Sequence, residues 1–233
     1  MRLPHKTLEK SLFAKGYKYV IGVDEVGIGC LAGPVYACAV LFDKKFFQKN
    51  HTRLRSVRDS KMLSPKQREK LYAELIKDNT IRFKLASCSP ATIDKINIYQ
   101  AARWAMRRAV NRLVYSGQWT VDRKFQIVNP KLKTVNCKLK TMVLVDGKTT
   151  IKGLNLPQMA IVKGDRKIFA IACASIIAKV TRDRLMVCLA KRYPRYGLEK
   201  HKGYPTKLHK AMLAKHGICR IHRKSFKPVA KLL

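Results

Sequence analysis

Three apolar runs of strand length each stop at an acid. "YVIGVDE" ends in Asp24 and Glu25, "TMVLVDG" (141–147) in Asp146, and "QMAIVKGD" (158–165) in Asp165. Short runs rich in Val and Ile read as buried-type strands. Residues 34–42 and 81–88 supply two more, and the Gly-rich stretch 27–33 joins the first pair. Ser64 and Pro65 predict an N-cap and first-turn proline for a helix over roughly 65–78. From Ile98, apolar residues at 98, 101, 102, 105, 106, 109 and 113 make a helical stripe, with Arg103, Arg107, Arg108 and Arg112 largely off it. A long helix is expected from about 166 to 192. Its segment "AIACASIIAKV" carries small residues that permit close approach to a neighbouring element. Strands alternating with helices predict an α/β fold with a mixed central sheet flanked by helices. No change of composition divides the chain. Residues 1–190 are expected to form the core, and 191–233 a basic helical extension packed on it. The stretch 117–140, with six Lys or Arg and one Asp, reads as a basic loop or hairpin.

Charge narrows the partners. The 233 residues hold 50 Lys and Arg against 14 Asp and Glu, a formal charge of +36. A surface this positive repels itself until a polyanion neutralises it. Nucleic acid comes first, because phosphate contacts release counterions irrespective of base sequence. An anionic membrane surface and a general basic bias are the other readings. A hydrophobic fraction of 47% supports a true core. No apolar run approaches the roughly 20 residues needed to span a bilayer, and the charged N-terminus, without an apolar h-region, does not read as a signal peptide. Seven scattered cysteines with no CxxC pair argue against a disulfide framework or a zinc ribbon. They read as reduced thiols of a cytoplasmic protein.

Why should so acid-poor a chain place Asp24 beside Glu25? Alternate side chains of a strand point to opposite faces, so both can converge on one site only if the strand loses its regularity there. Gly27 and Gly29 make such an irregular end feasible. Open α/β sheets build their sites where strand ends gather. Four carboxylates meeting there would repel one another without a cation, and they are the hard oxygen ligands that Mg²⁺ or Mn²⁺ takes. Two such ions about 4 Å apart can activate water and stabilise a leaving oxygen in phosphodiester hydrolysis. Plainer readings stand beside this one. Asp165 would serve as a helix N-cap, Asp146-Gly147 as a turn, and Asp24-Glu25 as half of a salt bridge.

These residues also carry a resemblance. "GVDEVGIGCLAGPV" resembles the signature of the type 2 ribonuclease H family in its bacterial form, ribonuclease HII. The likeness continues in order through "DSKMLS" (59–64), "TIDKINIYQA" (92–101), "VLVDG" (143–147) and "MAIVKGD" (159–165). It then runs through "ASIIAKVTRDRLM" (174–186), "YPRYG" (193–197), "HKGYPT" (201–206) and "HRKSFKPV" (222–229). It implies a ribonuclease H-like fold with a helical C-terminal extension. It implies endonucleolytic cleavage of RNA in RNA/DNA hybrids and incision at ribonucleotides embedded in duplex DNA, by two divalent ions, leaving 5′-phosphate and 3′-hydroxyl. By motif, Asp24, Glu25, Asp146 and Asp165 are the catalytic metal ligands, with Mg²⁺ or Mn²⁺ as cofactor. Gly27, Ile28 and Gly29 form the loop that meets the substrate. The two glycines would bring their backbones to the minor groove and read the ribose 2′-hydroxyl. Lys61 would contact a phosphate, and Tyr204 would stack near the sugar at the RNA-to-DNA junction. On residue type alone, Lys61 is a solvated lysine and Tyr204 a packed aromatic. The protein is expected to act as a monomer.

The chain departs from the family at three positions. Ile28 stands where the loop arginine is usual, Cys30 where proline is usual, and Met62 where a second lysine is usual. The basic stretch 117–140 is also longer than the family leads one to expect. Loss of the forked donor at Ile28 implies a relaxed preference for the junction. In the tail, Tyr193, Tyr196 and Phe226 read as core, and the spacing of His201, His209, His216 and His222 lacks the pairing of helical zinc motifs. Two rival functions remain at this level. One is a catalytically weak or inactive nucleic-acid-binding protein of the same fold, the other a ribosome- or RNA-binding protein suggested by charge alone.

Overall fold

The computed structural model describes residues 3–115 and 140–233. The basic stretch 117–140 therefore lies, except for Lys140, outside the described residues. In chain order the elements are α1 (Thr7–Ala14), β1 (Tyr19–Val26), β2 (Val35–Asp43), α2 (Lys44–Gln48), α3 (Pro65–Lys77), β3 (Arg82–Cys88), α4 (Pro90–Ile96) and α5 (Ile98–Tyr115). Then come β4 (Thr141–Asp146), β5 (Gln158–Ile161), α6 (Gly164–Lys167), α7 (Phe169–Arg192), α8 (Leu198–His201), α9 (Lys207–His216) and α10 (Lys227–Ala230).

The five strands form one sheet in the order β3-β2-β1-β4-β5. The first three strands are antiparallel, while β4 runs parallel to β1 and β5 parallel to β4. The period of two sorts the side chains. Val20 of β1 and Met142 and Leu144 of β4 join the core under α7. Ile21, Val23, Val143 and Val145 join the core under α5. The α5 stripe is buried at Ala101, Ala102, Ala105, Met106, Ala109, Val110 and Leu113, as its spacing requires.

The small residues of α7 do what their size allows. A Cβ on Gly22 would fall 2.2 Å from the carbonyl carbon of Ala170, so helix and strand meet backbone to backbone. Burial of α7 is nearly complete from Phe169 to Ala178. Its N-terminus is capped from afar: the Glu9 carboxylate of α1 accepts the Ala170 N–H at 3.0 Å. Ser64 caps α3 through a reciprocal box with Gln67, as its sequence indicates.

Three boundaries differ from the sequence expectation. β1 does not stop at Asp24 but stays paired with β2 through Val26. β5 ends at Ile161, and the chain turns through Lys163 before Asp165, which lies in the first turn of α6 and does not cap a helix. The single helix expected from about 166 is broken at Ile168. That residue is extended and forms a β-bridge with His5, whose N–H takes the carbonyl of Lys167. The tail packs around the end of α7: Tyr196, Leu198, Leu213, Ile221 and Val229 cluster with Leu31, Ala32 and Met186. Tyr193 and Phe226 pack against the same cluster. Among the described residues all six cysteines are free, and no helix is long and apolar enough to cross a membrane.

The Gly22 contact gives a direct test of the β1–α7 seam. Gly22→Ala should cost about 3 kcal/mol of stability through overpacking, read from the midpoint of denaturant unfolding at unchanged slope. A loss below about 0.5 kcal/mol would mean that the seam yields freely.

Candidate active site

The acids meet without any break in the strand. Asp24 lies on the α7 face of β1, in phase with Val20 and Gly22. Asp146 lies on the same face of β4, in phase with Met142 and Leu144. The parallel register pairs Val23 with Val145 and ends there, so the two aspartates stand side by side just past the last paired residues of β1 and β4. Asp165 arrives from α6, which hydrogen-bonds back to the sheet: the Gly164 N–H donates to Asp146 Oδ1 at 2.6 Å. Glu25 points to the α5 face. Its position at the strand's end nonetheless leaves it within the field of Asp146.

The electrostatics record this crowding. Asp24 and Asp165 are buried, 4% and 5% exposed, and Glu25 and Asp146 are partly buried. Burial, with repulsion from Glu25, Asp146 and Asp165, holds the Asp24 carboxyl well above the usual range; hydrogen bonding from Ser175 opposes this. Burial and Asp146 push Glu25 up to about 7, against the pull of Arg103 and Lys61. Burial, Asp59 and Asp146 push Asp165 up to about 6.

A cleft of about 270 Å³ opens at this edge of the sheet. Asp24, Glu25, Gly27, Ile28, Gly29, Lys61 and Tyr204 all line it, together with Ser60, Ser175 and Lys179. Every residue singled out from the sequence for substrate contact therefore shares a wall with Asp24 and Glu25, while Asp146 and Asp165 lie outside this lining. Lys61 is 74% exposed, its Nζ 3.9 Å from Asp165 Oδ2. Tyr204 is half-buried, and burial pushes its hydroxyl up to about 12, so it stays protonated. The Lys179 ammonium sits 5.2 Å above its ring.

The loop glycines serve different ends. Gly27 has φ +96°, and a Cβ there would meet Arg182 Nε at 2.4 Å. Gly29 has ordinary φ and nothing within 4 Å of a built Cβ. Folding therefore demands the first glycine and leaves the second free. Ile28 is partly buried and packs against the α5-side core.

Several supporting residues escaped the sequence reading. Asp59, 2% exposed, accepts from Arg166 Nε at 3.0 Å and from the Lys61 N–H at 2.9 Å, fixing the loop that presents Lys61. Ser60 and Ser175 bond through their hydroxyls at 2.9 Å. Arg182 is fully buried and donates to the carbonyls of Ala32, Pro34 and Lys202. Arg223, also buried, donates to those of Ile28 and Gly33. These two arginines tie the glycine loop to the tail that carries Tyr204. Their only sequence signal is membership of the stretches at 174–186 and 222–229, because the partners are backbone atoms far along the chain. His209 and His222 bond to each other at 3.2 Å, and His209 Nδ1 lies 3.0 Å from the Tyr204 carbonyl. Burial pushes His209 down to about 4, so this pair is neutral packing beneath Tyr204.

In this side-chain arrangement no three Asp, Glu, His or Cys residues among those described stand together as ligands of one ion. Asp24 and Asp146 each spend one oxygen on a backbone N–H. The donor set still fits a divalent cation. It consists of hard carboxylate oxygens, mutually repelling, with the Lys61 ammonium already drawn to their edge.

The raised carboxyls fix a pH dependence. In the absence of divalent cations the folded chain holds protons that the unfolded chain releases near pH 4. Stability is then fully present below that pH and is lost as pH rises through about 6 to 7. Glu25→Gln should flatten this loss and raise the melting temperature at pH 8 by about 3 °C, with less gain at pH 5. Parallel melting curves for variant and wild type across that range, recorded in chelator, would contradict the repulsion.

A sequence-family model described as ribonuclease HII matches residues 21–229. The ribonuclease HII of Caldicellulosiruptor saccharolyticus is 44% identical over 219 residues, covering 94% of this chain and 92% of that one. The ribonuclease HII of Acholeplasma laidlawii is 42% identical over 233 residues, covering 100% and 99%. Among solved structures, the ribonuclease H2 of Pyrococcus horikoshii OT3 superposes with a TM-score of 0.67 at 26% identity, covering 92% of this chain and 96% of that one.

Proposed function

The chain belongs to the ribonuclease HII family, and we propose that Asp24, Glu25, Asp146 and Asp165 are the carboxylates through which it hydrolyses the RNA strand of RNA/DNA hybrids. Ribonuclease H activity and dependence on a divalent metal are properties of the family. The observation that supports the residue assignment is the placement of Asp24 and Glu25 in a cleft lined by Lys61 and Tyr204, with Asp146 and Asp165 close enough to raise the Asp24 carboxyl by repulsion. Mg²⁺ or Mn²⁺ is the cofactor these oxygens suit. When bound, such ions lower the pKa of water and neutralise charge developing on the phosphodiester.

The chain's own groups divide the remaining work. Asp24 and Asp146, oriented by backbone N–H groups, present their free oxygens from adjacent strands. Lys61, held by the Asp59 loop, meets a phosphate oxygen. Gly29, open to solvent and needing no special backbone angle, admits the sugar edge to the backbone, where the 2′-hydroxyl distinguishes ribose from deoxyribose. Tyr204, still protonated, offers its ring and hydroxyl to the sugar beyond. Residues 1–190 form the catalytic core in this reading, and 191–233 complete the cleft by supplying Tyr204. Embedded ribonucleotides in duplex DNA are substrates as well. Ile28, turned into the core side, brings no charge to the junction phosphate, so discrimination there is relaxed. The reading of an inactive binding protein is not favoured, since all four acids are in place.

Cleavage assays test this with a continuous hybrid and with a duplex carrying one ribonucleotide, each with Mg²⁺ and with Mn²⁺. Asp24→Asn should lower the rate on both at least ~100-fold while hybrid binding persists. Full activity in the variant would refute the assignment. Ile28→Arg should raise the ratio of single-ribonucleotide to hybrid cleavage by about tenfold, and an unchanged ratio would count against the role given to position 28. Gly29→Ala should leave the melting temperature within ~1 °C and lower kcat/KM at least ~10-fold, whereas Gly27→Ala should cost about 2 kcal/mol in stability. Unimpaired cleavage by Gly29→Ala would remove backbone reading from that position.

A further inference from the structure

The loop that presents Lys61 to the carboxylates has a second side. Ser60 and Lys61 line the active cleft, while Arg58 and Leu63 of the same loop line a separate cavity of about 590 Å³ between this loop and α3. Arg53, Arg58 and Lys70 bring three cations to its wall against one acid, Glu74. That acid is already engaged, 3.6 Å from Arg53. Thr52, Ser56 and Gln67 add polar groups. Arg58 is partly buried, and among the described residues its Nε–H has no hydrogen-bond partner. A buried donor of this kind calls for an acceptor, and a guanidinium is shaped for the oxygens of an oxyanion.

We propose that this cavity is a second anion site, which takes a phosphate group through Arg58 and Lys70. The wall carries no aromatic ring, so nothing is built there to stack a base. What the lining can recognise is phosphate or two linked phosphates, not a nucleobase. The phosphate comes either from the backbone of the nucleic acid beyond the cut, a source that rests on the nuclease reading, or from a free anion. The loop is braced on both sides. Arg68 donates to the carbonyls of Ser60 and Leu63, and Asp59 holds the Lys61 N–H. A phosphate bound at Arg58 therefore rests on the same rigid turn as Lys61, and when it belongs to the substrate it fixes the duplex relative to the carboxylates.

Inorganic pyrophosphate is the probe, titrated into the full chain by calorimetry in chelator at low ionic strength. No turnover is required, so this arm stands or falls independently of the nuclease reading. One saturable site is expected, weakened at least ~10-fold by Arg58→Gln and by Lys70→Gln and unchanged in Lys210→Gln on α9. Lys70 is exposed on α3, so its variant keeps the test valid if Arg58→Gln folds poorly. Absence of saturable binding, or equal affinity in wild type and both cavity variants, overturns the proposal. A second arm assigns the source by measuring KM on ribonucleotide-containing duplexes of increasing length. If the phosphate is the substrate's, KM rises in the cavity variants for long duplexes only, and pyrophosphate competes. If the site serves a free anion, pyrophosphate binding is lost in the variants while KM is unchanged at every length.

Discussion

Repulsion among carboxylates that the fold will not let part governs this molecule. Asp24 and Asp146 lie side by side on one face of adjacent parallel strands, Asp165 is hung from Asp146 through the Gly164 amide, and Glu25 follows Asp24 within the field of Asp146. Water is largely denied to two of them. None can withdraw, because β1 is pressed backbone to backbone against α7 at Gly22 and paired to β2 as far as Val26. Stability forgone in this way is common where a fold gathers like charges for function.

The surrounding cations work at two ranges. The overall charge of +36 is long-range and unspecific, raising the local concentration of any polyanion. A few cations act locally. Lys61 reaches the edge of the acids, and Arg103 tempers Glu25 from the α5 side. Arg182 and Arg223 never touch the cleft. They spend their hydrogen bonds on carbonyls at Ile28, Ala32, Gly33, Pro34 and Lys202, which tie the glycine loop to the Tyr204 turn. The tail thereby becomes part of the site and not merely an attachment.

Local signals in the sequence were good guides. Ser64-Pro65 announced α3 with its capping box, the apolar spacing from Ile98 announced the buried stripe of α5, and the acids at run ends marked the edge where the cleft opens. What stayed hidden depends on partners distant in the chain. The end of β1 could not be placed because pairing with Tyr36 and Ala37 carries it past the acids. Asp24 and Glu25 line one cleft although the strand stays regular through both, so the irregular strand end expected from the glycines is not needed. The break at Ile168 coincides with a bridge to His5, and the cap on α7 comes from Glu9 in a helix the sequence did not reveal. Asp59 lay inside a quoted motif, yet its part became visible only with Arg166 beside it.

Binding of Mn²⁺ without substrate probes the carboxylate site most directly. The free ion is followed by its paramagnetic resonance during titration of the wild type and of Asp146→Asn. If the four acids form one cation site, the wild type takes up Mn²⁺ saturably, and the variant binds at least ~10-fold more weakly while melting no lower than the wild type. Equal uptake by the two proteins would contradict the site and leave the acids as an arrangement without a cation to hold it.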